Sequence, residues 1–460
     1  MRTVKARQLM LLLGDVIVLY LSLAIALLIR YGMGEFADQY ALHSGPMSLI
    51  FLLWIIILYV NGMYDLYVAK PSQAFMRRFV ESWLISVGVA VTLFYLLPFF
   101  TITPKTNLFL LSALFGVLFV GWRLLGNRLT RADIRVLAIH PDADITSLLL
   151  TLQRNPQLGY RVIGVVNSQK NNGSSTDSPL QEFTDTTPIR AIVSEHQVTL
   201  ILVPKNMRDT HTALYGELYE LLFWNVYTMP SENFFESLTG RVPLSALRDS
   251  WFFENLRPNH LPLYDAVQRI MDCVLAVFGI LGLTVLTPLV ALFIKWRSPG
   301  PLFFLQERVG RNGKKFNVIK FRTMHALNKD GSAEIAGAQM TTRDDPRVTP
   351  FGAFIRTLRL DELPQVINVL KGDMSFIGPR PERPQFVAEF EKHMPYYTVR
   401  HLVKPGLSGW AQINYPYAET VEQQLTKFQY DLYYIKNRSF LLDITIVLKT
   451  LHVVLYGKGR

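Results

Sequence analysis

Residues 271–296, MDCVLAVFGILGLTVLTPLVALFIKW, decide how the chain is laid out. The block is apolar and long enough for the roughly 20 residues that cross about 30 Å of hydrocarbon. If it crossed, the chain before it and the chain after it would lie on opposite sides of a membrane. Its C-terminal flank is strongly basic: Lys295, Arg297, Arg308, Arg311, Lys314, Lys315, Lys320 and Arg322. Such a flank belongs on the cytosolic side. In the middle stands Thr287-Pro288, where proline removes a helical hydrogen bond and clashes with the preceding turn. A proline-kinked span and a re-entrant helix, one that enters, breaks at Thr287-Pro288 and returns to the same face, both fit the block itself.

The upstream sequence bears on that choice. Four stretches, 9–29, 47–60, 79–100 and 108–125, are apolar enough to span. Arg2, Lys5 and Arg7 precede the first, Lys70, Arg77 and Arg78 lie between the second and third, and Arg123, Arg128, Arg131 and Arg135 follow the fourth. This bias puts the N-terminus and everything after Arg131 in the cytosol, with Arg30 and Lys105 as single dissenters. The first stretch reads as a retained span, being too long for a signal-peptide core and without a clear cleavage site. Both flanks of the 271–296 block are then cytosolic, which re-entry satisfies.

Between these membrane segments the pattern becomes that of a soluble α/β domain. IRVLAI from Ile134, YRVIGVV from Tyr160 and LILV from Leu200 read as buried strands, with a helix at 145–153. A small parallel sheet is expected. Its first strand runs into His140-Pro141-Asp142-Ala143-Asp144, with no G-x-G-x-x-G to cradle a pyrophosphate, so dinucleotide binding is disfavoured and a regulatory or assembly role is expected. Residues 169–188, rich in Ser, Thr, Asn and Asp, read as an exposed loop.

Half of the 460 residues are hydrophobic and the net charge is +11. Such charge suits nucleic acid, anionic lipid or phosphorylated substrates; the apolar blocks favour the last two over nucleic acid. Cys273 is the sole cysteine, which excludes a disulfide framework and a thiolate metal site. The scattered histidines, His140 and His196 among them, show no metal spacing. Residues 440–456 read as an interfacial helix, and Trp410, Tyr430 and Tyr434 could stack on a base or lie at head-group level.

The chemistry lies between Gln306 and Pro384. Leu360-Asp361-Glu362-Leu363-Pro364-Gln365 is expected to open an amphipathic helix that Gly372 closes, with Leu363, Val366, Ile367 and Leu370 on one face. Asp361 would sit at the positive end of that helix, and Pro364, lacking an N–H, would leave its carboxylate free of the usual capping bond. Lys320 and Arg322 end a strand-like run upstream, and Arg356 lies shortly before the pair. Downstream, Gly378-Pro379-Arg380-Pro381-Glu382-Arg383-Pro384 is a stiff turn that presents Arg380 with little freedom to lose, a setting suited to bidentate phosphate binding. Paired carboxylates among rigid cations suggest phosphoryl transfer, in which a carboxylate can itself be the nucleophile. Taken singly, each charge could equally be a solvated surface group.

Several of these pieces, in order, resemble the catalytic domain of the monotopic bacterial polyprenyl-phosphate phosphoglycosyl transferases. They are QERVG at 306–310, KFRTM at 320–324, LDELPQ at 360–365, NVLKGDMSFIGPRPERP at 368–384, VKPGLSGWAQIN at 403–414 and YDLYYIKN at 430–437. Four spans before a Rossmann-like domain are similar to the large form of that family. The resemblance implies Asp361 as nucleophile and Glu362 as its dyad partner, Mg2+ held at Asp361 and Glu362, and Lys320, Arg356 and Arg380, with Arg322 and Arg383, as phosphate-binding groups. Thr287 and Pro288 fall where the family breaks its re-entrant helix, and Arg269 and Asp272 mark a possible lipid-phosphate or interface site, although Gln268 stands where the family usually has lysine.

The expected architecture is a membrane protein with a four-helix transmembrane bundle (1–132), a Rossmann-like α/β domain (133–235), a linker (236–262) and a mainly α (α+β) catalytic domain (263–460) whose re-entrant membrane helix covers about 265–297. The resemblance implies a UDP-sugar and polyprenyl phosphate as substrates, a membrane-lipid surface, no nucleic acid, a homodimer, and the bacterial inner membrane with a cytosolic active site. It favours a neutral hexose over an N-acetylated one. A non-catalytic scaffold or sensor of polysaccharide assembly and a membrane phosphatase using the same aspartyl chemistry are the rival readings.

Overall fold

The computed structural model describes residues 2–65, 72–96, 105–129, 134–167, 180–205, 212–224, 226–256, 262–297, 299–326, 345–415, 418 and 420–455. Lys70, Arg131 and much of the 169–188 loop lie outside them. The chain divides into two compact units, Met1–Leu238 and Thr239–Arg460.

The first unit opens with helix α1, Arg2–Val60, then α2, Gln73–Leu96, and α3, Lys105–Leu129. At 1.5 Å per residue α1 is far longer than a bilayer is thick, and it is interrupted at Gly32, whose φ of 70° only glycine adopts readily. The chain doubles back there: the Tyr20 and Ser48 hydroxyls lie 2.7 Å apart, and the Tyr20 ring meets the Phe51 ring edge-on. The two spans expected at 9–29 and 47–60 are thus two membrane-length stretches of one interrupted helix. Inside the bundle Arg123 is ion-paired with Asp15 at 2.6 Å, and both are buried.

The α/β domain comes next, with β1, Ile134–Ile139, α4, Ala143–Arg154, β2, Tyr160–Asn167, β3, Glu182–Thr184, α5, Ile189–His196, β4, Leu200–Val203, α6, Thr212–Leu221, β5, Tyr227–Pro230, and α7, Ser231–Thr239. The strands form a parallel sheet in the order β3-β2-β1-β4-β5, the order of the first five strands of a Rossmann fold. The expected strands and helix are present; β3 and β5, short and not strongly apolar, lack a clear sequence signal. At the end of β1 the α4 N-cap Asp142 accepts from the Ile145 N–H at 2.8 Å, so a carboxylate stands where a dinucleotide fold places its phosphate-binding glycines. Val136, Leu149, Tyr160 and Phe234 join the apolar residues of the bundle in one continuous cluster.

In the second unit the described part of the stretch expected as a linker, up to Leu256, is folded. Val242 is fully buried and its N–H donates to the Gln429 carbonyl, while Trp251, on α8, Asp249–Asn255, packs with Val309, Phe390 and Phe428. Helix α9, Pro262–Arg297, then runs through the apolar block. The expected break at Thr287-Pro288 is not there: the helix continues through Pro288. Proline deletes one hydrogen bond, and the Thr287 hydroxyl donates to the Leu283 carbonyl at 2.6 Å, a contact that bends helices without ending them.

Against α9 stand an antiparallel hairpin, β6, Phe303–Val309, and β7, Lys315–Phe321; α10, Pro350–Thr357; a 3-10 segment, Leu360–Gln365; and α11, Val366–Lys371. After these come β8, Ser375–Ile377, α12, Pro384–His393, β9, Gly406–Ser408, α13, Trp410–Asn414, α14, Val421–Asn437, and α15, Phe440–Leu455. The fit of α9 to α11 is close: a Cβ on Gly279 would lie 2.8 Å from Val366. Arg269 donates to the Val369 and Leu370 carbonyls at 2.6 and 2.7 Å, and Asp272 accepts from the Ser375 hydroxyl and the Phe376 N–H at 3.0 Å each. Both residues read from sequence as a lipid-phosphate site are engaged in fastening α9 to the rest of the unit.

Candidate active site

The dyad segment owes its shape to two backbone features. Arg359 adopts a left-handed conformation, φ 56°, which ends α10 and turns the chain. Pro364 then lacks the N–H that an α-helix starting at Leu360 would use, and the segment closes with the shorter 3-10 pattern, the Glu362 N–H donating to the Arg359 carbonyl at 3.2 Å. Asp361 is therefore not the cap of an α-helix, as its sequence setting suggests; it lies within a 3-10 segment that precedes α11. Gly372, φ 93°, closes α11 as expected, and Leu370 is exposed.

Asn368 pins this segment to the hairpin. Its side chain accepts from the Ile319 N–H at 3.1 Å and donates to the Asn317 carbonyl at 2.8 Å. Lys320, next on β7, thereby reaches Glu362: Nζ to Oε1 is 3.0 Å. Arg380 Nη2 meets the same oxygen at 2.7 Å, and Arg359 Nη1 approaches Oε2 at 3.6 Å. Three cations converge on one buried carboxylate.

Asp361 is different. It is buried to 8% exposure, yet its carboxylate makes no hydrogen bond to a described residue. Burial, then the charge of Glu362, lifts its carboxyl to about 6, against the pull of Lys320, Arg356 and Arg359. Burial also pushes Glu362 upward, but Arg380, Lys320 and Arg359 outweigh it and hold that carboxyl well below the usual range. Burial lowers the Lys320 ammonium, which Glu362 partly offsets. Two adjacent carboxylates are thus driven apart: one is locked in its charged form by cations, the other is raised and open.

Arg356 donates from Nε to the Thr323 hydroxyl at 2.8 Å, which places it beside the dyad at the end of α10. The seat is tight, since a Cβ on Gly352 would meet the Thr323 carbonyl oxygen at 2.0 Å. Arg322 and Arg383, expected with the phosphate-binding group, go elsewhere: Arg322 is buried and donates to the Pro299 carbonyl at 2.9 Å, and Arg383 lies over the Phe386 ring. Among the described residues no group of three or more His, Cys, Asp or Glu side chains could hold a metal ion. Two carboxylates still suit Mg2+, which keeps several waters and takes the rest of its oxygens from substrate phosphates; Asp361 would be the open ligand, and Glu362 would share oxygens that already face cations.

Sequence reasoning missed Arg359, Arg308, Arg400 and Asp431, of which Arg359 reaches the dyad directly and the others stand behind the Pro379-Arg380-Pro381 turn. Arg308 donates to the Pro381 carbonyl at 2.9 Å, and Arg400 bonds the Arg380 carbonyl and the Asp431 carboxylate at 2.9 and 2.8 Å. Lys427, lowered by burial, faces the same charges from α14. Trp410 and Tyr434, candidates for base stacking, have other partners: Trp410 stacks on Tyr433 and donates to the Gly240 carbonyl, and Tyr434 is buried with its hydroxyl on Asp443.

Comparison with known proteins adds an independent finding. Residues 263–457 match the bacterial sugar transferase family, and residues 59–214 match a CoA-binding domain family. An Aeromonas hydrophila protein named UDP-N-acetylgalactosamine-undecaprenyl-phosphate N-acetylgalactosaminephosphotransferase is 46% identical over 224 residues, 49% of this chain and 51% of the relative. A Xanthomonas campestris UDP-glucose:undecaprenyl-phosphate glucose-1-phosphate transferase is 42% identical over 213 residues, 46% of this chain and 42% of the relative. An Escherichia coli K12 protein of the latter name is 34% identical over 334 residues, 69% of this chain and 67% of the relative. The matches span about half the length of the first two relatives and two thirds of the third.

Proposed function

The chain belongs to the bacterial sugar transferase family, and from that premise we propose that it moves a hexose 1-phosphate from a UDP-sugar to undecaprenyl phosphate by way of a phosphosugar carried on Asp361. The observation that carries the reading is the split dyad: Asp361 buried, raised and open beside a Glu362 held by Lys320, Arg380 and Arg359.

In the first step an Asp361 oxygen attacks the phosphorus that bears the sugar. A P–O bond forms to Asp361, the bond to the UMP oxygen breaks, and UMP leaves with its electron pair. In the second step an oxygen of undecaprenyl phosphate attacks the same phosphorus, the aspartyl P–O bond breaks, and Asp361 is restored with the lipid diphosphate sugar as product. Arg356, Arg359, Lys320 and Arg380 line the dyad and offset charge on the transferring phosphoryl group. Glu362, far below the ordinary carboxylate range, is a poor base; it organises those cations. A Mg2+ ion held by Asp361, Glu362 and the donor phosphates would supply further charge neutralisation when bound.

Helix α9 is long and apolar enough to enter the membrane. Since the helix is not broken at Thr287-Pro288, re-entry with both ends on the cytosolic side requires α9 to bend there, where Pro288 deletes a hydrogen bond and the Thr287 hydroxyl donates to the Leu283 carbonyl; such a bend would keep the dyad at the interface where a lipid phosphate lies. The sugar is glucose or N-acetylgalactosamine, the two that appear in the relatives' names; the neutral hexose favoured from sequence draws its support from the glucose transferases, and the 46% identical relative supports the alternative. The test is UMP release from a panel of UDP-sugars with Mg2+ and no lipid, wild type against Asp361→Asn. Wild type releases about one equivalent of UMP from its own donor and the variant none. Equal release by both would sink the reading.

A further inference from the structure

The Pro379-Arg380-Pro381 turn cannot hold itself. Two of its residues have no N–H, so the turn offers carbonyls and few donors. Each of four successive carbonyls accepts a bond from outside the turn: Pro379 from the Gly406 N–H, Arg380 from Arg400 Nη2, Pro381 from Arg308 Nη1 and Glu382 from the Val309 N–H, all at 2.9 Å. The two backbone donors belong to neighbouring strands. The two side-chain donors are arginines with supports of their own.

Arg400 is the more deeply set. It is 5% exposed; Nη1 donates to the Tyr397 hydroxyl at 2.6 Å, and Nη2 donates both to the Asp431 carboxylate at 2.8 Å and to the Arg380 carbonyl. Asp431 is 2% and Tyr397 2% exposed. A buried pair of this kind is a weak source of net stability, because desolvation offsets the attraction. Its geometry offers a different rationale. One planar guanidinium joins α14, the 397–402 turn and the main chain of the residue whose side chain grips Glu362 at 2.7 Å.

We propose that Arg400, oriented by Asp431 and Tyr397, is a positioning residue that fixes where Arg380 stands and thereby sets the efficiency of the donor step. Arg400 itself touches neither dyad carboxylate. The proposal rests on the reading that Arg380 meets the donor phosphate. Lysine at 400 keeps the charge but, as a point donor, cannot hold hydroxyl, carboxylate and carbonyl together in one plane.

The experiment is a double-mutant cycle on the full-length protein in detergent or nanodiscs. Arg400→Lys lowers kcat for UMP release about 10- to 100-fold, the cost of misplacing a positioned group by about 1 Å. In an Arg380→Gln background the same change costs little more, because the residue it acts through is gone. Tyr397→Phe, a milder change, lowers kcat in the same direction by a smaller factor. Hydrogen exchange of the 378–383 peptide, which needs no substrate, is faster in Arg400→Lys than in wild type. Equal losses in both backgrounds, or unchanged exchange in the turn, overturn the proposal. Wild-type protein that forms no phosphosugar, with faster exchange in the variant, would instead count against the reaction reading and leave the positioning role standing.

Discussion

At the scale of single residues, burial and neighbouring charge set the behaviour of Asp361. Its folded-state value near 6 lies above the ordinary 3.8, so the fold favours the protonated form. That stabilising contribution is fully present below pH 3.8 and is lost as pH rises through 6. At pH 8 the ionised carboxylate costs the fold about 1 to 3 kcal/mol. Asp361→Asn is therefore expected to melt higher than wild type at pH 8 in EDTA, with the gap closing by pH 4, as differential scanning fluorimetry would report. For the same reason UMP release should fall below about pH 6. Glu362→Gln removes the like charge and frees Lys320, Arg359 and Arg380 to act on Asp361, so any residual release should keep its activity to lower pH. Asp361, Glu362, Lys320 and Arg380 were legible because they stand in short motifs, and Arg356 because it lies shortly before one of them. Arg359, immediately before the LDELPQ motif, was hidden, since only its left-handed backbone turns it toward Glu362. Arg400 and Asp431 carried no local signal: Arg400 stands 20 residues from Arg380 and Asp431 a further 31 from Arg400, and packing brings them together.

The elements obey local rules that the sequence states incompletely. Gly372 ends α11 as expected, but Pro364 gives a 3-10 segment where amphipathic spacing suggested one continuous helix. The spacing of apolar residues is common to both; the missing N–H is what separates them. Asn368 matters for the same reason, because a six-residue helix has little stability of its own. Asn368→Ala leaves the Ile319 N–H without its partner and should cost about 1 to 2 kcal/mol while loosening Lys320 from Glu362, so that activity falls further than the melting temperature alone explains. Helix α9 poses the topological question, and Leu263 and Trp296 near its ends are both exposed. In a Cys273→Ser background, Leu263→Cys and Trp296→Cys are expected to react with a membrane-impermeant maleimide from the same, cytosolic face of inverted vesicles. Labelling from opposite faces would make α9 a span.

At the scale of the whole molecule the bundle and the α/β domain share one apolar cluster, so damage in the bundle should reach the sheet. The buried Arg123–Asp15 pair is the place to look, with Arg123 also donating to the Met63 carbonyl and lying over the Tyr64 and Phe119 rings. Arg123→Leu strands a carboxylate in an apolar interior and should destabilise by about 3 to 5 kcal/mol; adding Asp15→Leu should recover much of it. Thermal unfolding in nanodiscs measures both. The long apolar helices, the parallel sheet and the mainly helical C-terminal region were readable from where apolar period and charge change along the chain. That residues 240–256 pack into the second unit was not, because Val242 and Trp251 are too few to form a pattern before their partners are known.

The central claim is a covalent phosphosugar on Asp361. The most direct measurement is mass spectrometry of the protein after exposure to its UDP-sugar and Mg2+ without lipid. The predicted result is one sugar phosphate on the peptide bearing Asp361, absent in Asp361→Asn and discharged when undecaprenyl phosphate is added. Wild-type protein that transfers the sugar phosphate to lipid while never carrying it, or that carries it on another residue, would contradict the account.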